Sequence, residues 1–121
     1  MKNQFIPYGK HFIDQDDIDA VIEVLKYKNL TQGDAVDSFE NAIAEFVGAK
    51  YAVAMSSWTA GLHMACLAAD VNEGHDVITS PITFVASSNA ALYCNANPVF
   101  TDIDSKTINI CPDNLKKTIH K

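Results

Sequence analysis

Short apolar segments alternate with helical patterns in the second part of the chain, and this alternation constrains the fold more than any other feature. The apolar segments, expected to be strands, lie at 51–55, 77–79 and 99–103, and the helical patterns lie at 60–69, 85–94 and from Pro112 onward. A strand–helix–strand order requires crossover connections, which place helices against a parallel sheet. The sequence therefore predicts an α/β layer structure whose short apolar strands are covered on both faces.

The residues before this alternation follow a different pattern. Residues 1–12 are predicted to form an extended arm. Apolar residues at three- and four-residue spacing then predict two helices, at 14–28 and 35–47, with Gly48 as the C-terminal cap of the second. Neither helix follows a strand, so we expect an outer addition to the fold or a dimer contact. We therefore predict two regions, with an arm and two helices at 1–50 and an incomplete αβ domain at 51–121.

The charge pattern excludes some partners and limits how a ligand can be held. The 121 residues carry a net charge of −6, and the chain contains no arginine, so all nine basic residues are lysines. A basic face for nucleic acid is not expected from such a chain. Without arginine, an anion must be held by backbone N–H groups, hydroxyl groups or lysine rather than by a bidentate guanidinium.

Other features of the composition indicate a globular protein of the cytoplasm. Hydrophobic residues make up 48% of the chain, and the N-terminus lacks the apolar core of a secretion signal. No apolar run approaches the ~20 residues of a membrane span, so no membrane partner is expected. The cysteines Cys66, Cys94 and Cys111 form no CxxC pair, which fits a reducing cytosol. The four histidines are scattered, and we expect no metal site.

The first candidate site is the turn from Met55 to Gly61, which joins the first predicted strand to a helix. Free N–H groups at a helix start, together with the helix dipole, favour an anion. Ser57 and Thr59 add hydroxyl groups, and the small residues after them leave the backbone accessible. The same residues also fit an ordinary Ser/Thr helix cap, so spacing alone leaves both interpretations open.

The second candidate site is the segment 80–87, which follows the second predicted strand. Ligands of open α/β sheets bind beyond the carboxyl ends of the strands, where the ring of Phe84 could stack on a flat ligand. An isolated phenylalanine is more commonly a core residue, and that alternative stays open. Asp102 and Asp104 end the third predicted strand at this edge, and we interpret them as a solvated turn.

Three long segments resemble one enzyme family. They are IPYGKHFIDQDDIDAVIEVLKYKNLTQG, YAVAMSSWTAGLHMACLAA and DVITSPITFVASSNAALYCNANPVFTDID. The family is the DegT/DnrJ/EryC1/StrS group of pyridoxal-phosphate-dependent sugar aminotransferases. The LTQG and PITFVAS segments most resemble its members in pseudaminic acid biosynthesis, which act on a UDP-linked 4-keto-6-deoxy sugar. The resemblance implies the N-terminal part of the large domain of a fold type I (aspartate-aminotransferase-like) enzyme, with two leading helices followed by βαβαβα.

The resemblance also implies roles for individual residues. The turn would hold the phosphate of pyridoxal 5′-phosphate, chiefly through the backbone at Thr59 and Ala60, and a phenylalanine would stack on the pyridine ring; these residues are Ser57, Trp58, Thr59, Ala60 and Phe84. Trp58 departs from the family's pattern, in which a small residue is usual. Four residues would lie near the nucleotide sugar: Tyr8, Thr31, Gln32 and Gly33. Members of the family are usually homodimers with sites shared between subunits.

In this family an amino group passes from glutamate to the cofactor, which a lysine holds as a Schiff base, and then to the 4-keto sugar. That lysine and the aspartate at the pyridine nitrogen lie downstream of the third strand. None of the nine lysines of this chain stands in the family's lysine motif. We therefore expect the N-terminal part of a longer enzyme, with no catalytic residue among these 121 residues and no activity from them alone.

Two other interpretations stay open at this point. One is a different pyridoxal-phosphate enzyme of the same fold type, such as a desulfurase or an aldolase. The other is a non-catalytic, truncated paralogue that binds a partner or a phosphorylated ligand, with the helices at 14–28 and 35–47 as its interaction surface.

Overall fold

A computed structural model describes residues 6–119 of the chain. The chain divides into two compact units, one that ends at Ala54 and one that begins at Met55. The first unit contains two helices and the second contains a parallel pair of strands with three helices. Each unit is described by itself.

In the first unit, capping residues mark the start of one helix and the end of the other. Helix α1 spans Gln15–Tyr27, and the Asp14 carboxylate accepts hydrogen bonds from two backbone N–H groups of its first turn. The Asp17 carboxylate in turn accepts a hydrogen bond from the Asp14 N–H, and together these bonds form a capping box. Helix α2 spans Asp34–Val47 and ends at Gly48, whose φ of 70° is left-handed. Glycine adopts this conformation without a steric penalty, so the predicted cap at Gly48 is confirmed.

The apolar stripes of these helices are largely exposed. On α1 the exposed fractions of Ile18, Val21, Ile22 and Leu25 lie between 40% and 61%. A shallow groove along α1 is lined by three of these side chains together with Ile13 and Asp17. Within the described part of this unit, Ala44 of α2 is the buried residue.

The second unit follows an alternating order. Its elements are α3 (Trp58–Ala68), β1 (Asp76–Thr79), α4 (Ala86–Tyr93), β2 (Asn97–Phe100) and α5 (Pro112–Ile119). Strands β1 and β2 pair in parallel, with Ile78 opposite Val99. This parallel pair with a helical crossover confirms the predicted α/β class. Pro112 opens the last helix, as the sequence predicted.

The strand predicted at 51–55 is absent, so the predicted βαβαβα order is wrong in its first element. Residues 51–55 form no strand pairing, and the Ala54 N–H instead donates to the Glu40 carboxylate at 2.6 Å. An apolar run becomes a strand only when a neighbouring backbone completes its hydrogen bonds. Within residues 6–119 the sheet has two strands, and neither is hydrogen-bonded to this segment.

Two other predicted boundaries shift. The helix predicted at 60–69 begins at Trp58, because Ser57 is already its cap. The strand predicted at 99–103 lies at Asn97–Phe100. Ile103 forms an isolated antiparallel bridge with Ile110 instead, because the chain turns back between these two residues.

The small core of the second unit lies where α3 and α4 meet. Ala91, Cys94 and Ala96 are buried, with Cys66 packed against them. This burial raises the pKa of the Cys94 thiol. The rings of His63 and Tyr93 also lie 5.3 Å apart between centroids. The second half of α3 thus packs against the end of α4.

Candidate cofactor-phosphate site at the start of helix α3

The turn before α3 leaves two backbone donors available. Ser57 is the N-cap residue in an extended conformation, and its Oγ accepts a hydrogen bond from the Ala60 N–H at 3.1 Å. The Gly61 N–H donates to the Ser57 carbonyl at 3.0 Å. Within residues 6–119 the N–H groups of Trp58 and Thr59 have no acceptor. Two donors at the positive end of a helix are a suitable binding site for a phosphate group.

The charges around this helix start favour an external anion. The first turns of α1, α2 and α5 each contain aspartate, which neutralises the positive end of the helix dipole. The first turns of α3 and α4 contain no acidic residue. A methyl group built at Gly61 would meet no atom within 4 Å, so the surface beside the turn is open. The cap interpretation and the anion-site interpretation are compatible, because Ser57 satisfies one N–H and two remain. The N–H that Ser57 satisfies is that of Ala60, so the free backbone donors are those of Trp58 and Thr59 rather than the expected Thr59 and Ala60.

The loop that contains Phe84 presents its ring to solvent. Phe84 is 71% exposed, which is unlike a core phenylalanine. A hydrogen bond stabilises the loop just before Phe84, where the Oγ of the buried Ser80 accepts from the Ile82 N–H at 3.1 Å. The Phe84 carbonyl accepts from the Ser87 N–H at the start of α4. The ring is therefore free to stack on a flat ligand.

The two candidate loops each precede one of two helices that pack together. Phe84 lies between the carboxyl end of β1 and the start of α4, which is the edge at which open α/β sheets bind ligands. The turn at Ser57 begins α3, whose Cys66 packs against the end of α4.

The residues expected near a nucleotide sugar belong to the first unit. Tyr8, Thr31 and Gln32 are exposed, and Gly33 is half-buried. Gln32 has a φ of 53°, a conformation that glycine favours and that other residues adopt at a cost. A Cβ at Gly33 would collide with the Asn29 carbonyl oxygen, so this loop requires glycine there. Spacing alone could not reveal this strained loop conformation.

The two aspartates that follow β2 have different hydrogen bonds. The Asp102 carboxylate accepts from its neighbour's N–H at 2.8 Å. Asp104 Oδ1 accepts from the N–H groups of Thr107 and Lys106, each at 2.9 Å, and these bonds lower the pKa of the Asp104 carboxyl. The structure thus supports the expected turn for Asp104. Asp102 instead lies beside the bridge between Ile103 and Ile110, where its carbonyl accepts a hydrogen bond from the Cys111 N–H at 3.2 Å. The structure also shows Ile108 with a φ of 62°, which the sequence did not reveal.

Two further features of residues 6–119 bear on function. No group of three or more His, Cys, Asp or Glu residues in this range is arranged to hold a metal ion. None of the helices described there is both long enough and apolar enough to pass through a bilayer.

Comparison with known proteins identifies related sequences. The pattern of the DegT/DnrJ/EryC1/StrS aminotransferase family matches residues 11–121. The spore coat polysaccharide biosynthesis protein SpsC of Bacillus subtilis is 42% identical over 118 residues, which are 98% of this chain and 30% of that protein. The UDP-4-amino-4,6-dideoxy-N-acetyl-beta-L-altrosamine transaminase of Campylobacter jejuni is 45% identical over 98 residues, which are 81% of this chain and 26% of that protein. The chain thus spans about a third or less of the length of these relatives.

A solved structure shares the fold. The PLP-form of the putative sugar aminotransferase Spr1654 from Streptococcus pneumoniae has a TM-score of 0.86 and 26% sequence identity. The likeness covers 93% of this chain and 29% of that chain. It confirms the fold type that the sequence resemblance implied.

Proposed function

Because the chain belongs to the DegT/DnrJ/EryC1/StrS aminotransferase family, we propose that it provides the cofactor-phosphate site of a pyridoxal-phosphate-dependent nucleotide-sugar aminotransferase. The observation that carries the proposal is the start of α3, with two free N–H groups and no acidic side chain in its first turn. A phosphate monoester is the kind of ligand that such a donor set binds without arginine. The region 51–121 is then part of the cofactor-binding domain.

In this proposal, different residues bind different parts of the cofactor. The N–H groups of Trp58 and Thr59 donate to phosphate oxygens. The Ser57 side chain stabilises the turn, because its Oγ accepts a hydrogen bond from the Ala60 N–H. The Thr59 hydroxyl is a further donor. Phe84 stacks on the pyridine ring and keeps it flat. When bound, pyridoxal 5′-phosphate takes an amino group from an amino acid and supplies it to a keto carbon.

For the substrates we propose glutamate as the amino donor and a UDP-linked 4-keto-6-deoxy sugar as the acceptor, in surface glycan synthesis of the pseudaminic acid type. The name of the Campylobacter relative, a transaminase of a UDP-linked 4,6-dideoxy amino sugar, supports this choice. Tyr8, Thr31, Gln32 and Gly33 contact the nucleotide sugar. The left-handed Gln32 favours this role, because strained backbone is concentrated at ligand-binding sites.

The lysine that bonds covalently to the cofactor is a separate part of the proposal. None of the nine lysines stands in the family's lysine motif, so we propose that these 121 residues alone form no covalent adduct and transfer no amino group. The assembly we propose is a cytoplasmic homodimer.

Amino transfer by the full-length protein tests the proposed function. The protein is loaded with pyridoxal 5′-phosphate and incubated with glutamate and a UDP-linked 4-keto-6-deoxy-N-acetylhexosamine, and the amino sugar is measured by mass spectrometry. Alanine in place of glutamate, and cysteine desulfuration and aldol cleavage as rival reactions, are measured in parallel. Activity only in a rival reaction would contradict the sugar substrate. Borohydride reduction of the 121-residue chain should leave no covalent cofactor, and an adduct there would contradict the statement about lysine.

A further inference from the structure

The Glu40 side chain on α2 is bonded to the backbone at the end of the first unit. Its carboxylate accepts a hydrogen bond through Oε1 from the Ala54 N–H at 2.6 Å, across 14 positions of the sequence. Both residues belong to the first unit, of which Ala54 is the last residue. Within residues 6–119, no other hydrogen bond joins residues 50–56 to a helix or a strand. The bond to Glu40 is therefore the polar anchor of this segment.

The end of α2 explains how two residues so distant in the sequence meet. Gly48 ends the helix in a left-handed conformation, with a φ of 70°, and such a cap lets the chain reverse its direction. Residues 49–54 then return along α2 until Ala54 reaches Glu40, which lies about two helical turns before Gly48. The bond thus fixes the position of Ala54 along the helix.

The chemistry of this bond makes it stronger than an ordinary backbone bond. Glu40 is half-buried and is the acceptor of a charge-assisted hydrogen bond, a type about twice as strong as a neutral one. The ion pairs described within residues 6–119 join other side chains, so no lysine there competes for the Glu40 carboxylate. Because the carboxylate belongs to a regular helix, its support is rigid. The bond restrains the backbone at Ala54 and at the residues that follow.

Ser57 follows Ala54 by three residues, and the backbone between them lies in no helix or strand. From these observations, and resting on the proposed function, we propose that Glu40 is a positioning residue of the cofactor-phosphate site. Glu40 restrains the segment before Ser57, so that the N–H groups of Trp58 and Thr59 are already in place when the phosphate binds. A site that is ordered beforehand binds more tightly, so loss of this bond should weaken cofactor affinity about tenfold.

The test uses the full-length protein and two substitutions at Glu40, with pyridoxal 5′-phosphate and pyridoxal as the ligands. Glu40→Ala removes the acceptor, and we expect the Kd of pyridoxal 5′-phosphate to rise about tenfold. Glu40→Gln keeps an acceptor oxygen without the charge, and the Kd should rise about threefold, which is half of the effect on a logarithmic scale. The Kd of pyridoxal, which lacks the phosphate, should stay the same in both variants. A purely structural role of Glu40 would weaken the binding of both ligands alike.

Glu45 provides a matched control on the same helix. Its side chain is exposed and forms no hydrogen bond or ion pair within residues 6–119. Glu45→Ala and Glu45→Gln make the same changes in charge and in helix propensity as the two Glu40 variants. They should change neither Kd.

Three results would overturn the proposal: unchanged affinity of Glu40→Ala for pyridoxal 5′-phosphate, an equal loss for both ligands, or the same loss in the Glu45 variants. If Glu40→Ala does not fold, Glu40→Gln decides alone, and an unchanged Kd of pyridoxal 5′-phosphate in that variant would overturn the proposal. If the parent protein binds pyridoxal 5′-phosphate no more tightly than pyridoxal, the proposed phosphate site fails. If the parent prefers pyridoxal 5′-phosphate and the Glu40 variants match it, the role of Glu40 alone fails.

Discussion

Replacing Ser57 by aspartate should separate the helix cap from the phosphate site. Ser57 Oγ caps α3 through the Ala60 N–H at 3.1 Å. Aspartate, asparagine and serine are about equally good N-cap residues, so both Ser57→Asp and Ser57→Asn keep this bond. Only the aspartate adds a negative charge beside the free N–H groups of Trp58 and Thr59. The asparagine variant is therefore a neutral control of nearly the same shape.

The expected effect on affinity follows from Coulomb's law. A carboxylate on the order of 5 Å from a phosphate dianion is repelled by about 1.7 kcal/mol even at the dielectric constant of water, and by more near a protein surface. Affinity for pyridoxal 5′-phosphate should therefore be at least ~10-fold weaker in Ser57→Asp than in Ser57→Asn. The melting temperature without cofactor should be equal or slightly higher in Ser57→Asp, because a negative charge favours the helix start.

The assay is equilibrium dialysis of the full-length variants with pyridoxal 5′-phosphate, repeated with pyridoxal. The two variants should bind pyridoxal alike, because the repulsion requires the phosphate. Equal affinity of both variants for pyridoxal 5′-phosphate, with both proteins folded, would refute the placement of the phosphate at this turn. The repulsion should also shrink as salt is added, since exposed charges are screened.

Three further predictions concern the stability of the turns. Gly48→Ala should destabilise helix α2 by about 1 kcal/mol in thermal unfolding, because the left-handed φ of 70° strains a side chain even though the added methyl would meet no atom within 4 Å. Acidification should weaken the turn after Asp104. Folding lowers the pKa of the Asp104 carboxyl, so the stability that the carboxylate contributes is present above the unfolded pKa and is lost as the pH falls through the folded pKa. The protection of the Thr107 amide relative to its intrinsic exchange rate should fall over that range, and Asp104→Asn should remove this pH dependence. Ile108→Gly should stabilise the chain in denaturant unfolding by up to ~1 kcal/mol, because a branched residue occupies a φ of 62° there.

The helices of the chain could be predicted because the residues that begin and end them act on backbone groups close by in the sequence. Asp14 caps α1 and Gly48 ends α2 within a few residues of where they stand, so no distant contact is needed to place them. The strand expected at 51–55 failed for the opposite reason. Its apolar residues fit a buried strand, but a strand is completed by another backbone, and the Ala54 N–H is bonded to Glu40 instead.

The candidate site was predictable in part. The turn at Ser57 follows from helix-capping chemistry, and the place of Phe84 at the carboxyl end of β1 follows from the alternating order of elements. The strand that was expected to lead into the Ser57 turn is absent. The left-handed conformation of Gln32 does not follow from spacing, because it depends on how the loop meets the following helix. Likewise, the exposed indole of Trp58 depends on where the neighbouring elements lie. Sequence alone could mark that tryptophan as unusual for the family but could not give its surroundings.

The most direct test of the central claim is a crystal structure of the full-length protein with pyridoxal 5′-phosphate bound. The account predicts phosphate oxygens within about 3 Å of the backbone nitrogens of Trp58 and Thr59. The pyridine ring should lie against Phe84. A phosphate bound elsewhere, with these two N–H groups facing solvent or another part of the protein, would contradict it.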